Sequence, residues 1–306
     1  MRVIVVGAGG TGGYFGAKLA KSGADVTFLA RGEHLRAIED KGIRIRSAVE
    51  GEWSVKVRVV DSLAGHPPAD LVLFCVKGFD TETVAESIRP IVAPSTGVLS
   101  IQNGVESEEK ISAILGPGHA MGGVVYVFSN IESPGVIAHH QLGRIVFGEM
   151  NGGESPRAVA FARACKLAGI PCEVTGEIRK VLWEKYICIT PIAGTTSLTR
   201  LPVKYIRELA ETHELWRLQV EELLALAIAA GSGLDATMRE RARAFLESLA
   251  PTNYSSLYQD LAAGKRLELE TFHGHAVTLG KRYGIATPTL FAIYAALKPY
   301  ALGKPR

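Results

Sequence analysis

A glycine-rich turn near the amino terminus constrains the fold of this chain more than any other sequence feature. Residues 3–6 are apolar and mostly β-branched, which is typical of a strand covered on both faces in a parallel sheet. Gly7-Ala8-Gly9-Gly10-Thr11-Gly12 follows directly, and a helix of small residues is predicted over residues 11–22. A GxGxxG turn between a strand and a helix predicts a βαβ unit whose backbone amides bind a pyrophosphate.

The rest of the chain divides by its periodicity into two parts. Further buried strands are predicted at 25–29, 70–76 and 97–101, with a helix at 81–88 between the last two. Short alternating pieces at 122–128, 136–139 and 144–147 predict antiparallel hairpins at one edge of the sheet. After Ile178 only helical patterns remain, at 206–230, 236–249, 257–283 and 290–302.

These patterns predict an α/β fold with two domains. Residues 1–177 are expected to form an N-terminal Rossmann-type, doubly wound sheet that binds the dinucleotide. Residues 178–306 are expected to form a C-terminal all-helical domain that binds substrate and carries the catalytic groups. Breakers such as Gly194, Pro251 and Pro288 lie between the predicted helices of this second domain.

Composition narrows the class of protein. Hydrophobic residues make up 47% of the 306 and charged residues 21%, which excludes a disordered chain. A net charge of +3 gives no basis for nucleic-acid or membrane binding, and no apolar run approaches the roughly 18 residues of a membrane span. The four cysteines show no metal-binding or CxxC spacing. We therefore expect a cytoplasmic protein with a small-molecule ligand, and the sequence is compatible with a homodimer.

The residue after the second strand bears on the choice of cofactor. An Asp or Glu normally binds the ribose 2′-hydroxyl of NAD here, but this chain has Arg31. A guanidinium suits a 2′-phosphate, which favours NADP (NADPH). The alternative for Arg31 is an ordinary solvated charge. Glu33, two residues later, leaves NAD or FAD as the weaker alternative.

Two polar residues follow predicted strands at the carboxyl edge of the sheet, where ligands bind in open α/β folds. Lys77 follows the strand 70–76 and would place a positive charge beside a cofactor phosphate or a substrate carboxylate. Asn103 follows the next strand and would bridge the nicotinamide ribose and the substrate. The alternatives are a solvated loop lysine and a turn residue of the Asn-Gly pair.

Lys185 interrupts an apolar stripe along a predicted helix. Lys185 shares this stripe with Leu182 and Ile189 by their spacing of three and four residues. Partial burial disfavours an ammonium and lowers its pKa toward a value useful for proton transfer. The alternative is a lysine whose head group extends to water.

Further candidates lie in the later helices. Glu268 shares a predicted stripe with Leu261 and Phe272, so it is a candidate partner for Lys185. The polar cluster 252–256 precedes the same predicted helix, where Ser256 is either part of an N-terminal cap or a donor to a ligand. The His139-His140 pair and the His273-x-His275 pair lack metal-site spacing, so no metal is predicted.

The chain resembles the ketopantoate reductase (2-dehydropantoate 2-reductase) family in several motifs that are spaced along its sequence. They are Gly7-x-Gly9-x-x-Gly12, Val76-Lys77, Gln102-Asn103-Gly104, Trp183-Glu184-Lys185, Asn253-Tyr254-Ser255-Ser256 with Gln259-Asp260, and Glu268. The resemblance implies NADPH-dependent reduction of 2-dehydropantoate to (R)-pantoate in pantothenate and coenzyme A biosynthesis. It also implies an active cleft between a Rossmann domain and a helical domain.

The resemblance further implies a role for each matching residue. Lys185 is expected to be the general acid that protonates the alkoxide formed when hydride reaches the C2 carbonyl. Asn103 is expected to contact substrate and cofactor, and Ser256 to contact substrate. Lys77 is expected to help bind the cofactor, and Glu268 to be a partner of the cofactor or of Lys185.

This sequence departs from the family pattern at two positions. The family commonly has Asn four and eight residues beyond the catalytic lysine, where this chain has Ile189 and Ala193. Either Thr190, Thr195 or Thr196 replaces these substrate contacts, or the pocket accepts a less polar 2-oxo acid. Two alternative functions therefore stay open: a reductase of another 2-oxo acid, and a non-catalytic nicotinamide-binding sensor.

Overall fold

The computed structural model describes residues 1–305 and contains two compact units. The first unit comprises Met1–Gln102 and Ser107–Ile178. The second comprises the described residues from Arg179 onward together with the short segment Asn103–Glu106. The second unit therefore takes four residues from the middle of the first unit's sequence, immediately after a strand.

The first unit is a ten-stranded sheet with helices on both faces. Its strands are β1 (Arg2–Val6), β2 (Asp25–Leu29), β3 (Ile43–Ser47), β4 (Gly51–Val55), β5 (Arg58–Val60), β6 (Leu71–Phe74), β7 (Gly97–Ser100), β8 (Ala120–Ser133), β9 (Val136–Glu149) and β10 (Cys172–Val174). Its helices are α1 (Gly10–Lys21), α2 (Gly32–Lys41), α3 (Thr81–Ser87), α4 (Ser107–Leu115) and α5 (Pro156–Leu167).

Strand β1 lies in the middle of the parallel part of the sheet, between β2 and β6. Val3 and Val5 point into the core on one face, while Ile4 and Val6 point into a separate core on the other. Successive strand side chains point to opposite faces, so a continuous apolar run needs cover on both. The predicted doubly wound sheet is confirmed, with β2 and β6 each paired parallel to β1, one on either side of it.

The predicted hairpins at the sheet edge prove to be one long antiparallel pair, β8 and β9, in the interior of the sheet. Strand β3 pairs with β9 on the side opposite to β8, and β4 pairs with β3 and forms the edge of the sheet. The segment Ile43–Ser47 alternates apolar and arginine side chains with buried and exposed positions. This alternation was the available signal for β3, and the sequence prediction missed it.

The described part of the second unit contains helices and no strands, as predicted, but Gly194 lies inside the helix Ile178–Thr199 and not between helices, and the predicted helix 206–230 is interrupted at Leu209. Its helices are α6 (Ile178–Thr199), α7 (Val203–Glu208), α8 (Ala210–Ala229), α9 (Met238–Ser248), α10 (Ser256–Ala262), α11 (His275–Tyr283) and α12 (Pro288–Leu297). A π-helical turn, Glu270–Gly274, directly precedes α11. None of the described helices is both long and apolar enough to cross a bilayer.

The predicted single helix over 257–283 is wrong. Helix α10 ends at Ala262, and Gly264 adopts a left-handed φ of 64°, a conformation that terminates helices and favours glycine. Glu268 lies in the irregular segment that follows. It therefore shares no helical stripe with Leu261, and the spacing argument for Glu268 fails although its side chain is buried.

Candidate active site

Close packing of the glycine turn at the end of β1 explains why two of its glycines are required. Gly7 has a φ of 97°, and a Cβ atom there would lie 2.9 Å from the Cys75 carbonyl carbon. A Cβ on Gly12 would lie 2.2 Å from the Gly7 carbonyl oxygen. By contrast, nothing lies within 4 Å of a Cβ built on Gly9. The turn is thus packed against protein on one side and open at Gly9.

The N-terminus of α1 has the properties of an anion site. Gly9 is its N-cap residue and supplies no side-chain hydrogen bond, and no acidic residue lies in the first turn. Ala8 is buried, Gly10 packs against the β8 backbone at Ser129, and Thr11 is partly buried. Uncapped N–H groups and the helix dipole favour a bound phosphate here.

His34, which the sequence analysis missed, holds the glycine turn in place. The Gly135 amide donates to Nδ1 of His34 at 3.0 Å, so Nδ1 carries no proton. Nε2 is therefore the protonated nitrogen and donates to the Ala8 carbonyl at 2.8 Å. Burial lowers the pKa of His34, while the bond to Ala8 acts in the opposite direction. No local pattern around His34 signals this role, because both partners are distant in sequence.

Arg31 lies at the N-cap of α2, directly after β2 and Ala30. Its side chain is 90% exposed, and its guanidinium lies 3.3 Å from the Asp80 carboxylate. Asp80 belongs to the short turn after β6 and was not a sequence candidate. The guanidinium is accessible to a 2′-phosphate, but a carboxylate is already beside it.

Lys77 and Gln102 lie near the ends of two adjacent parallel strands, β6 and β7. Lys77 is exposed and begins the 3₁₀ turn Gly78–Asp80. The buried Gln102 amide donates to the Val76 carbonyl and to the Thr81 hydroxyl, each at 2.9 Å. Gln102 therefore ties the loop carrying Lys77 to the end of β7, so it has a structural role.

In the second unit, Lys185 lies on α6 and donates from Nζ to Oδ1 of Asn103 at 3.0 Å. Loss of hydration on burial lowers the pKa of Lys185 to about 8, and the negative charge of Glu268 acts in the opposite direction. Glu268 is only 6% exposed. The structure thus brings together three predicted residues that are far apart in sequence.

The segment Asn103–Glu106 is fixed on the second unit by two further contacts. A Cβ on Gly104 would lie 2.7 Å from the Thr271 methyl group, and the φ of Gly104 is 96°. Glu106 lies 3.1 Å from Nδ1 of His275. The loop that presents Asn103 to Lys185 is therefore held at both ends.

Ser256 is exposed at the first position of α10, and its neighbour provides the cap. The Ser255 hydroxyl accepts from the Tyr258 amide at 3.1 Å and also bonds the Thr196 hydroxyl at 2.7 Å. Ser256 therefore does not cap α10. The alternative role of Ser256, as a donor to a ligand, stays a prediction.

The threonines considered as replacements for the missing asparagines point into the protein. Thr190, Thr195 and Thr196 are each fully buried. The Gln219 amide donates to the Thr195 hydroxyl at 3.0 Å, and Thr196 donates to the Ile192 carbonyl at 2.7 Å. The Thr195 and Thr196 hydroxyls therefore bond within the helical core, whereas the Thr190 hydroxyl is buried without a hydrogen-bond partner among the described residues.

The histidine pairs have separate structural partners. His139 bonds Ser47 and the Leu142 carbonyl, and His140 bonds Asn130. His273 bonds Gln219, whereas His275 pairs with Glu106. Within residues 1–305, no group of three or more His, Cys, Asp or Glu side chains is arranged to hold a metal ion.

The fold and this arrangement define a Rossmann-type sheet unit with an anion-binding turn and a helical unit with a partly buried lysine. Comparison with known proteins is consistent with this class. Residues 3–152 match the model of the ketopantoate reductase PanE/ApbA family, and residues 177–301 match its C-terminal model. The chain belongs to the ketopantoate reductase family.

Individual relatives align over nearly the whole chain. A 2-dehydropantoate 2-reductase of Archaeoglobus fulgidus is 31% identical, covering 93% of this chain and 92% of its own. An uncharacterized oxidoreductase of Bacillus subtilis, YkpB, is 29% identical over 99% of this chain and 100% of its own. The crystal structure of a PanE/ApbA family ketopantoate reductase from Ralstonia eutropha superposes with a TM-score of 0.91 and 32% identity, covering 98% of both chains.

The role of His34 can be tested by removing its donor. We expect His34→Ala to weaken binding of NADPH and NADH equally, by about tenfold, because the Ala8 carbonyl loses its partner and the glycine turn loosens. Fluorescence titration of each reduced nucleotide measures this, with the exposed, same-helix Arg36→Ala as control. Unchanged binding, or a loss confined to NADPH, would contradict this role.

Proposed function

We propose that this protein reduces 2-dehydropantoate to (R)-pantoate with NADPH, a step of pantothenate and coenzyme A biosynthesis, in the cytoplasm. The observation that carries the proposal is the environment of Lys185. An ammonium with a pKa of about 8, bonded to Asn103 and near Glu268, suits proton donation near neutral pH.

The sheet unit would hold the cofactor. The open position at Gly9 and the uncapped amides of α1 fit a pyrophosphate. Arg31 would bind the 2′-phosphate, and Lys77 would contribute a further positive charge. Bound there, NADPH supplies the hydride, whereas the protein supplies orientation, electrostatics and the proton.

Lys185 would act twice in the reduction. Its positive charge first stabilises the negative charge that develops on the C2 oxygen, and its proton then converts the alkoxide into the hydroxyl group. Because Asn103 accepts from Lys185 through Oδ1, its Nδ2 donors remain directed elsewhere and would bind substrate and cofactor. Ser256 would donate to the substrate. Glu268 would maintain the protonated state of Lys185 by its negative charge.

A second candidate substrate class is a less polar 2-oxo acid. Ile189 and Ala193 stand where the family commonly has asparagines, and the neighbouring threonine hydroxyls are buried in the helical core. Each missing hydrogen bond to a substrate hydroxyl or carboxylate is worth about 1–3 kcal/mol. This loss would change specificity more than reaction chemistry.

Steady-state kinetics with a panel of 2-oxo acids tests the proposal. Purified protein is assayed for oxidation of NADPH and of NADH with ketopantoate and with acids bearing unbranched, branched and aromatic side chains. The highest kcat/KM with NADPH and ketopantoate would support the proposed reaction. Higher kcat/KM for an apolar acid would support the second candidate, while nucleotide binding without turnover would contradict both.

The Lys185 pKa predicts a pH dependence. The protonated fraction of Lys185 falls as pH rises through about 8. The kcat for reduction should therefore be level below that pH and decline about tenfold per pH unit above it, a decline called here the basic limb.

The Lys185→Ala variant should have a kcat about 100- to 10,000-fold lower and should show no basic limb. Its affinity for NADPH should change by less than about twofold. Lys204→Ala, an exposed lysine of the same unit, is the control. A Lys185→Ala enzyme with wild-type kcat would disprove the acid role.

Arg31 and Asp80 together predict cofactor preference. Arg31→Ala should raise the KM for NADPH about 10- to 100-fold and leave that for NADH nearly unchanged, because only NADPH carries the 2′-phosphate. Asp80→Asn should lower the KM for NADPH severalfold, because it removes an anion 3.3 Å from the guanidinium. Equal effects of either variant on both nucleotides would contradict the assignment.

A further inference from the structure

The helical segment after Glu268 contains a break that a tyrosine fills. The Tyr186 hydroxyl donates to the Phe272 carbonyl, and the Ala276 amide lies near enough to the hydroxyl to act against the rise in its pKa. Phe272 and Ala276 are four residues apart, the separation of one α-helical hydrogen bond. The hydroxyl therefore lies beside a carbonyl and an amide that have the spacing of an α-helical hydrogen bond.

This insertion coincides with the π-helical turn Glu270–Gly274. A side chain inserted into the backbone ladder is one recognised cause of such irregularities, and π-turns often occur at functional sites. The hydroxyl gives the buried Phe272 carbonyl a hydrogen-bond partner at the point where the helix is irregular. The turn is thus stabilised by a residue from another helix.

Tyr186 is held rigidly. It is 1% exposed, and its ring packs edge-on against Trp183, with centroids 5.7 Å apart. Burial and the negative charge of Glu106 raise the pKa of Tyr186, so the hydroxyl keeps its proton and remains a donor over the working pH range. Tyr186 also directly follows Lys185 on α6. One rigid helix therefore carries both the lysine and the side chain that shapes the segment carrying Glu268.

We propose that Tyr186 is a positioning residue that sets the location of the Glu268 carboxylate relative to Lys185 by maintaining the π-helical turn. Glu268 lies on the amino side of the turn and is attached to it by the bond from the Phe272 amide to the Glu268 carbonyl at 3.1 Å. The inference rests on the proposed function for its kinetic consequences, but not for its structural ones.

Loss of the Tyr186 hydroxyl changes which hydrogen bonds stabilise the π-helical turn. Without it, the Phe272 carbonyl and the Ala276 amide are left unpaired or bond each other, and the second outcome restores a regular helix. A return from π-helical to α-helical bonding shifts the helical register by one residue and so rotates the preceding residues by about 100°. Glu268 then moves away from Lys185 and no longer supports its protonated form.

Tyr186→Phe in the full-length enzyme tests the proposal, because the variant keeps the ring and removes only the hydroxyl. We expect kcat to fall about tenfold, KM for NADPH to change less than about twofold, and the basic limb of kcat to move about half a pH unit or more to lower pH. Thr212→Val is the matched control, since that hydroxyl also donates to main-chain carbonyls at a helix junction. A fall in kcat with an unmoved limb would reduce Tyr186 to a packing role and overturn the proposal.

A double-variant cycle identifies the group through which Tyr186 acts. Glu268→Gln should move the basic limb in the same direction, and adding Tyr186→Phe to it should produce little further movement, because the carboxylate is already neutral. Additive movements would overturn the proposal, since Tyr186 would then act on Lys185 independently of Glu268.

A measurement without substrate separates this inference from the proposed function. The pH dependence of Lys185 acylation by an amine-specific reagent, followed by peptide mass spectrometry, reports the lysine titration directly. If the wild type reduces no 2-oxo acid, the proposed function fails. A titration moved to lower pH in Tyr186→Phe would still support the positioning role, whereas an unmoved titration would overturn it.

Discussion

Partial burial of a single ammonium group, that of Lys185, is the constraint on which the helical unit's chemistry depends. Removing an ammonium from water is costly unless hydrogen bonds and opposite charge offset the loss. Here Oδ1 of Asn103 accepts a hydrogen bond from Nζ of Lys185 at 3.0 Å, and Glu268 supplies the opposite charge. This incomplete compensation lowers the pKa of Lys185 to about 8, which leaves it protonated at neutral pH yet able to release its proton.

In the proposed function the sheet unit has a different electrostatic task, the binding of cofactor phosphates by a protein of low net charge. It would do so locally, with the uncapped N-terminus of α1, the open position at Gly9 and the exposed Arg31. His34 holds the turn by its bond to the Ala8 carbonyl. The Asp80 carboxylate lies 3.3 Å from Arg31, so in the proposed function both residues would set the preference for a 2′-phosphate.

The sequence predicted those features that depend on local periodicity or on a motif with a fixed structural context. Continuous apolar runs predicted the parallel strands, GxGxxG predicted the turn, and the stripe through Lys185 indicated an unusual lysine. Features made by distant residues were not predictable: His34 meets Gly135 across the first unit, and Tyr186 reaches Phe272 from another helix. The same limit explains the failed stripe argument for Glu268, because one left-handed glycine ended the helix that the periodicity extended.

Chemical rescue tests the central claim, that the Lys185 ammonium delivers the proton during reduction, most directly. Lys185→Ala is assayed with NADPH and its best 2-oxo acid in the presence of small primary amines of graded pKa. If Lys185 is the acid, amines should restore turnover in proportion to the concentration of the alkylammonium form, with more acidic ammonium ions the better donors. Absence of rescue by any small amine, with substrate and nucleotide still bound, would contradict an acid role for Lys185.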